Sequence, residues 1–295
     1  MKKKIISLAL AILMFCAASV PVYADGLGVR TVIGADLTPE QKTEVYNNFG
    51  IPQGSVKEIT MTNAMEHAAL DGCVDPGIIG SHSISCVYVN LKNDGSGMNI
   101  TTSNISWCTA EMYISALATA GITDADIIVT APFAVSGTAA LAGVFLAYED
   151  ITGLKLDDLA KTVATQQLTV TGDLANYLSD PNLANDIVGD LKDLLDETEN
   201  MSDEQITSEI REIAGMYGVS LTDKQVNQLL ELCKSLQGLD EDQLAAKVRD
   251  VQGTLNKVSN AQTKIVGFVS GVKKVVTSVT SFFDKISGIL NRHGA

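Results

Sequence analysis

The sequence predicts an α+β protein: a small N-terminal sheet covered by helices, followed by an all-helical C-terminal region with a long amphipathic helix. Three observations carry this expectation. Between Gly28 and about Gly153, short β-like runs alternate with runs at helical spacing. From Leu156 onward the β-like runs vanish and helix-start signals recur. From Leu244 to Ile289 apolar residues step alternately by four and three, the pattern of a heptad seam. The expected divisions are a leader over 1–24, an α/β domain over 25–153, a helical region over 154–240 and a long amphipathic helix or helical hairpin over 241–295.

The leader comes first. Lys2-Lys3-Lys4, an apolar run from Ile5 to Val20 and then Val22-Tyr23-Ala24 form the charged, hydrophobic and cleavage regions of a secretory signal. The run is shorter than the roughly 20 residues a spanning helix needs. Cleavage near Ala24 is expected, which leaves an exported chain that is extracellular or associated with the cell envelope.

In the α/β domain, Gly28–Leu37 reads as a strand. Thr38-Pro39-Glu40-Gln41 then supplies a cap, a proline at the first helical position and a Gln three residues on, so a helix runs to Phe49 and stops at Gly50. Val56–Met61 reads as a second strand and Asn63–Leu70 as a short helix before a loop from Asp71 to Gly80. Ser83–Lys92 and Met98–Trp107 alternate and flank Asn93-Asp94-Gly95-Ser96-Gly97, which has the turn chemistry of a β-hairpin. Thr109–Ala120 is expected to be helical and Asp126–Thr130 to be an apolar strand. Ser136–Asp150 reads as a helix that is apolar nearly all round and therefore buried.

Further helix starts fall at Asp157, Ser202, Thr222 and Asp240, the last three having the cap-x-x-Gln form of a capping box. As one straight helix, the seam from Leu244 to Ile289 would extend about 68 Å at 1.5 Å per residue. Gly253, Ser259, Asn260 and Gly271 interrupt it, and a break near Ser259 would give a hairpin instead.

Charge and composition exclude several classes. The chain has 295 residues, 46% of them hydrophobic and 19% charged, which supports real cores and rules out disorder as the main state. A formal charge of −14 opposes phosphate backbones, so no nucleic-acid partner is expected. The tail departs from this balance, with Lys264, Lys273, Lys274, Lys285 and Arg292 set against Asp284 alone. With Phe268 and Phe282 on the apolar seam, this segment is a candidate contact to an anionic membrane surface or wall polymer. Packing on the chain's own helices, or self-association, is the other use for the same stripe.

His67, His82 and His293 are scattered with no metal-ligand spacing, so neither a metal nor a cofactor is expected. Asp94-Gly95-Ser96-Gly97 lacks the alternating carboxylates of a calcium loop. Cys86 with His82 is a conceivable nucleophile and base, but residues four apart on a strand lie about 13 Å apart. No catalytic residue is assigned. Ser136-Gly137-Thr138 joins an apolar strand to a helix, so Ser136, Gly137 and Thr138 form a weak candidate ligand site at a helix N-terminus. A plain helix cap with small residues for close packing explains the same stretch. One disulfide among Cys73, Cys86 and Cys108 is expected, with Cys233 a buried thiol, while a chain without any bridge stays open.

Several stretches together carry a family resemblance: Gly34-Ala35-Asp36-Leu37-Thr38-Pro39-Glu40-Gln41, Ser85-Cys86-Val87-Tyr88-Val89, Ala131 to Leu141, and Tyr217 to Asp223. They resemble the YpuA-like domain-of-unknown-function 1002 family of exported proteins from Gram-positive bacteria. The resemblance implies an exported protein of α/β plus helical type and supplies no activity, cofactor or catalytic residue. Cys73 and Cys108 depart from the family pattern, which argues against a bridge shared by the family. The function expected from all this is a non-enzymatic interaction module of the cell envelope. The alternative is a ligand-binding protein or hydrolase using the turn near Ser136.

Overall fold

The computed structural model describes residues 28–93 and 95–239. The leader, the helix start at Asp240 and the whole seam, with Lys264, Phe268, Lys273, Lys274, Phe282 and Lys285, lie outside the described residues.

Among the described residues, five strands form one mixed sheet: β1 (Val29–Gly34), β2 (Glu58–Met61), β3 (Cys86–Leu91), β4 (Met98–Ile105) and β5 (Ala125–Val135), in the order β2-β1-β3-β5-β4. The β1/β2 and β4/β5 pairs are parallel, and β3 runs antiparallel to both of its neighbours. Side chains alternate between the two faces as the pleat requires. Ile33 and Cys86 pack with Val45, Tyr46 and Phe49 of helix α1 (Pro39–Phe49) on one face. Val32, Val87, Val89, Ile127 and Val129 enter a much larger cluster on the other.

That second face is covered by α5 (Thr138–Thr152), which follows α2 (Asn63–Leu70), the short α3 (Pro76–Ile79) and α4 (Ala110–Thr119) in the chain. Gly143 lets α5 sit close, since a Cβ there would lie 3.3 Å from Val87 Cγ2. The remaining helices among the described residues are α6 (Asp158–Leu178), α7 (Pro181–Asp193), α8 (Leu195–Thr198), α9 (Asp203–Met216) and α10 (Asp223–Gln237). Buried side chains on both sides of Gly153 belong to one cluster, which extends from Val32 through Leu141 and Leu168 to Leu236.

The α+β architecture, the Thr38 capping box with its Gly50 stop, and the Asn63–Leu70 helix are all as read from the sequence. Two expectations need correction. The hairpin of Ser83–Lys92 with Met98–Trp107 does not form, because β5 lies between its two strands. Leu91 and Met98 both pair with Ala125, so the chain reverses direction across an intervening strand, roughly 10 Å instead of 5 Å. Asp124 holds the opening, accepting from Gly97 N at 2.7 Å through its side chain and from Lys92 N at 2.9 Å through its carbonyl. The apolar β5 takes the inner position and the polar β4 the edge, which suits their compositions.

The bridge among Cys73, Cys86 and Cys108 is also absent: all four described cysteines are free thiols. Cys86 is buried under α1 on one face, whereas Cys108 belongs to the cluster on the other and Cys73 packs at its margin. The sheet itself separates two of the three.

A third difference is an omission. Helix α7 begins at Asp180-Pro181, where the Asp180 carboxylate accepts from Asn182 N and Leu183 N at 3.0 and 3.1 Å. Ser179, at φ 55°, ends the preceding helix.

A candidate ligand cleft at the ends of β4 and β5

Strands β4 and β5 run parallel and end together, with Ile105 paired to Val135. Between Ser103↔Thr130 and that last pair, β4 advances by Asn104 alone while β5 advances through Ala131, Pro132, Phe133 and Ala134. This irregularity is closed by Asn104, at φ 58°, whose amide donates to Ala131 O at 2.8 Å. Bulges of this kind re-aim the chain at the ends of sheets. Here the chain turns into two loops stitched together by Ser106 N to Val135 O at 2.8 Å and Cys108 N to Ser136 O at 3.2 Å.

A cleft of about 440 Å³ opens beside these loops. One wall carries Ser106, Trp107, Val135 and Ser136, and α6 contributes Asn176. The facing wall is built from Glu66 of α2, Ile78 and Ile79 of α3, and the strap that carries His82 and Ser85. The strap is fastened firmly. Ser83 N donates to Asp36 Oδ2 at 2.7 Å, and Ser83 Oγ donates to Glu66 Oε1 at 2.5 Å. Gly34 permits this approach, since a Cβ there would lie 2.3 Å from Ser83 O. His67 braces the same wall through Asp71 Oδ1 at 2.8 Å and Gly80 O at 3.2 Å, and both contacts hold its imidazole above the ordinary value.

Two buried polar side-chain atoms among the described residues have no hydrogen-bond partner, Glu66 Oε2 and Trp107 Nε1. Both belong to residues of this cleft. Glu66 is 1% exposed, and burial pushes its carboxyl up from the ordinary value, opposed by the nearby Ser83 hydroxyl and Asn63 amide. The Trp107 indole is pinned by packing, for a Cβ on Gly172 of α6 would lie 2.4 Å from Cζ2 and 2.6 Å from Cε2.

Of the turn residues singled out in the sequence, Ser136 lies on the wall and the other two lie behind it. Gly137, at φ 95°, caps α5 without a side chain, and its carbonyl accepts from Tyr113 Oη at 2.5 Å. A Cβ there would meet Ile105 and that same hydroxyl at 2.5 Å. Thr138 is buried. Ser136 Oγ donates to Ile78 O at 3.2 Å and His82 Nδ1 pairs with Ser81 Oγ at 2.9 Å, so the hydroxyl is bonded to a carbonyl and not to a base. Cys86 does not enter the cleft; burial pushes its thiol up to about 12. Among the described residues, no group of three or more His, Cys, Asp or Glu is placed to hold a metal ion, and no helix is long and apolar enough to cross a membrane.

Glu66, Trp107 and Asn176 were not singled out from the sequence. The available signals were a lone carboxylate in the otherwise uncharged first turns of Asn-Ala-Met-Glu, and a mid-helix glycine at Gly172 that a large side chain elsewhere must fill.

The cleft, and all the described fold after the first residues of β1, lie within a stretch, residues 33–258, that matches the family model described as "Protein of unknown function (DUF1002)". The chain is similar to "Uncharacterized protein YpuA" of Bacillus subtilis (strain 168), 34% identical over 283 residues that cover 95% of this chain and 94% of that protein. No solved structure matches it. With the family match spanning β2 to β5, every wall of the cleft and the helices behind it, the chain belongs to the DUF1002 family.

Proposed function

We propose that this protein is an exported, non-enzymatic binding protein whose cleft beside Ser136 takes a small molecule. The observation that carries the reading is that the two residues with unpaired buried polar atoms, Glu66 and Trp107, line one cleft. Native proteins rarely leave buried polar atoms unpaired, and a ligand that completes them recovers the desolvation cost. The cleft volume falls in the range of small-molecule sites, and its place beyond the carboxyl ends of two parallel strands is where open α/β sheets bind ligands. A hydrolase is disfavoured by the bond from Ser136 Oγ to a carbonyl. Crystals soaked in acetamide, propan-2-ol and acetonitrile test the reading. Probe molecules should cluster in the cleft; probes that bind elsewhere and leave it free would overturn it.

The basic stripe from Lys264 to Arg292 supports a second role, contact with an anionic membrane surface or wall polymer at the cell envelope. Sedimentation with anionic liposomes, comparing the full chain with one ending at Ala261, tests it. Salt-sensitive binding that needs the tail is expected, and equal behaviour of the two chains would reject it.

A further inference from the structure

Resting on the reading of the cleft as a binding site, we propose that its ligand carries a protonated amine beside an oxygen acceptor. The amine engages the Glu66 carboxylate and the oxygen engages the Trp107 indole N–H.

Among the described residues, Glu66 is the one carboxylate on the cleft walls, no Lys or Arg lines them, and the other titratable group there, His82, pairs with Ser81 Oγ. An anionic ligand would meet a desolvated carboxylate with no compensating cation on the wall, which is the costly arrangement. The side chains around Glu66 relieve it only in part: the Asn63 amide, which favours its charge, hydrogen-bonds Gly80 O at 3.2 Å and not Oε2. Ser83 occupies Oε1 alone, and behind Ser83 stands a second carboxylate, Asp36. His67, the next residue on α2, commits both ring nitrogens to Asp71 and Gly80. The remaining oxygen therefore calls for a donor from outside the chain, and a charged N–H donor makes the strongest such bond.

Trp107 requires the opposite sense. Its indole nitrogen is a donor only, it has no acceptor, and the ring is held by its packing on Gly172. One ligand with a donor and an acceptor satisfies both orphans. Amino sugars and amino-acid amides have this chemistry and fit within about 440 Å³. Both orphan atoms are sealed from water in this structure, so the proposed ligand reaches them only if both side chains shift toward the cleft they line, Trp107 giving up part of its packing on Gly172.

Trp107 is the single tryptophan of the chain, so its emission reports on this cleft alone. Titrations should compare glucosamine with glucose and glucuronate, and norleucine amide with hexanamide, which lacks only the amine, following emission and melting temperature. An amine should shift the emission and bind about tenfold or more tighter than its neutral counterpart. Glu66→Gln keeps an oxygen for Ser83 and should abolish that preference while the protein without ligand still unfolds in one transition, at a temperature no lower than the parent's. Equal or tighter binding of the neutral or anionic compounds overturns the assignment of ligand class and leaves the cleft reading intact. Silence from all of them also overturns the assignment, and the solvent soaks then decide separately whether the cleft binds at all.

Discussion

Two glycines in similar helices show how a single residue can be read only with its neighbours. Gly172 lies under the Trp107 indole, whereas a Cβ on Gly189 of α7 meets nothing within 4 Å. Replacing Gly189 with Ala should raise stability by up to ~1 kcal/mol, the gain in helix propensity. Gly172→Ala should lose about 1–3 kcal/mol through overpacking and should shift Trp107 emission even in the folded protein. Thermal melts with emission spectra check both; equal effects of the two changes would contradict the packing. Glu66 supplies a pH test. Its folded value is raised by burial, so its contribution is fully present below the ordinary carboxylate range and is lost as pH rises through the folded value, with Asp36 and His67 as its charged neighbours. Glu66→Gln should therefore match the parent near pH 4 and melt higher by a margin that widens toward pH 7. A margin independent of pH would contradict the assignment.

Among elements, local signals read well where local bonds decide the outcome. The Ser202 box forms as its sequence implies, with Gln205 N donating to Ser202 Oγ at 3.3 Å and Ser202 N donating to Gln205 Oε1 at 2.8 Å. Thr222 has the same spelling, yet its hydroxyl bonds the Gln225 side chain and leaves the backbone uncapped. Ser202→Ala should cost about 1 kcal/mol and Thr222→Ala clearly less, as denaturant midpoints would show. The hairpin was illegible for a different reason. Alternation in Ser83–Lys92 and Met98–Trp107 identifies two strands, and Asn93 to Gly97 identifies a reversal, but neither states which strand becomes the neighbour. That choice rests on the apolar run of β5, whose Ile127 and Val129 are buried in the core. Nor did the Asp180-Pro181 start stand out, although its carboxylate caps two backbone groups.

At the scale of the whole molecule, the cleft joins what the chain order separates. Glu66 and Ser136 come from the sheet half, while Gly172 and Asn176 come from the helical half, and one buried cluster underlies both. This is why the candidate site was only partly legible: Ser136 announces itself by its turn, whereas the orphan atoms of Glu66 and Trp107 exist only once distant segments meet. Melting followed by Trp107 emission and by far-ultraviolet dichroism should give coincident transitions. Separate midpoints for the cleft and for the helices would refute a shared core.

The insertion of β5 between β3 and β4 also sets an order of events during folding. The two outer strands carry their own turn and can zip together within microseconds, long before residues 125–135 find them. A chain that takes this shortcut occupies a trap, and it must unzip for the central strand to enter. Weakening the turn should then help: Gly95→Ala, at a position with φ 76°, should lower native stability yet quicken refolding in stopped-flow experiments. Slower refolding would show that the chain waits, with its slot open, for the strand that completes it.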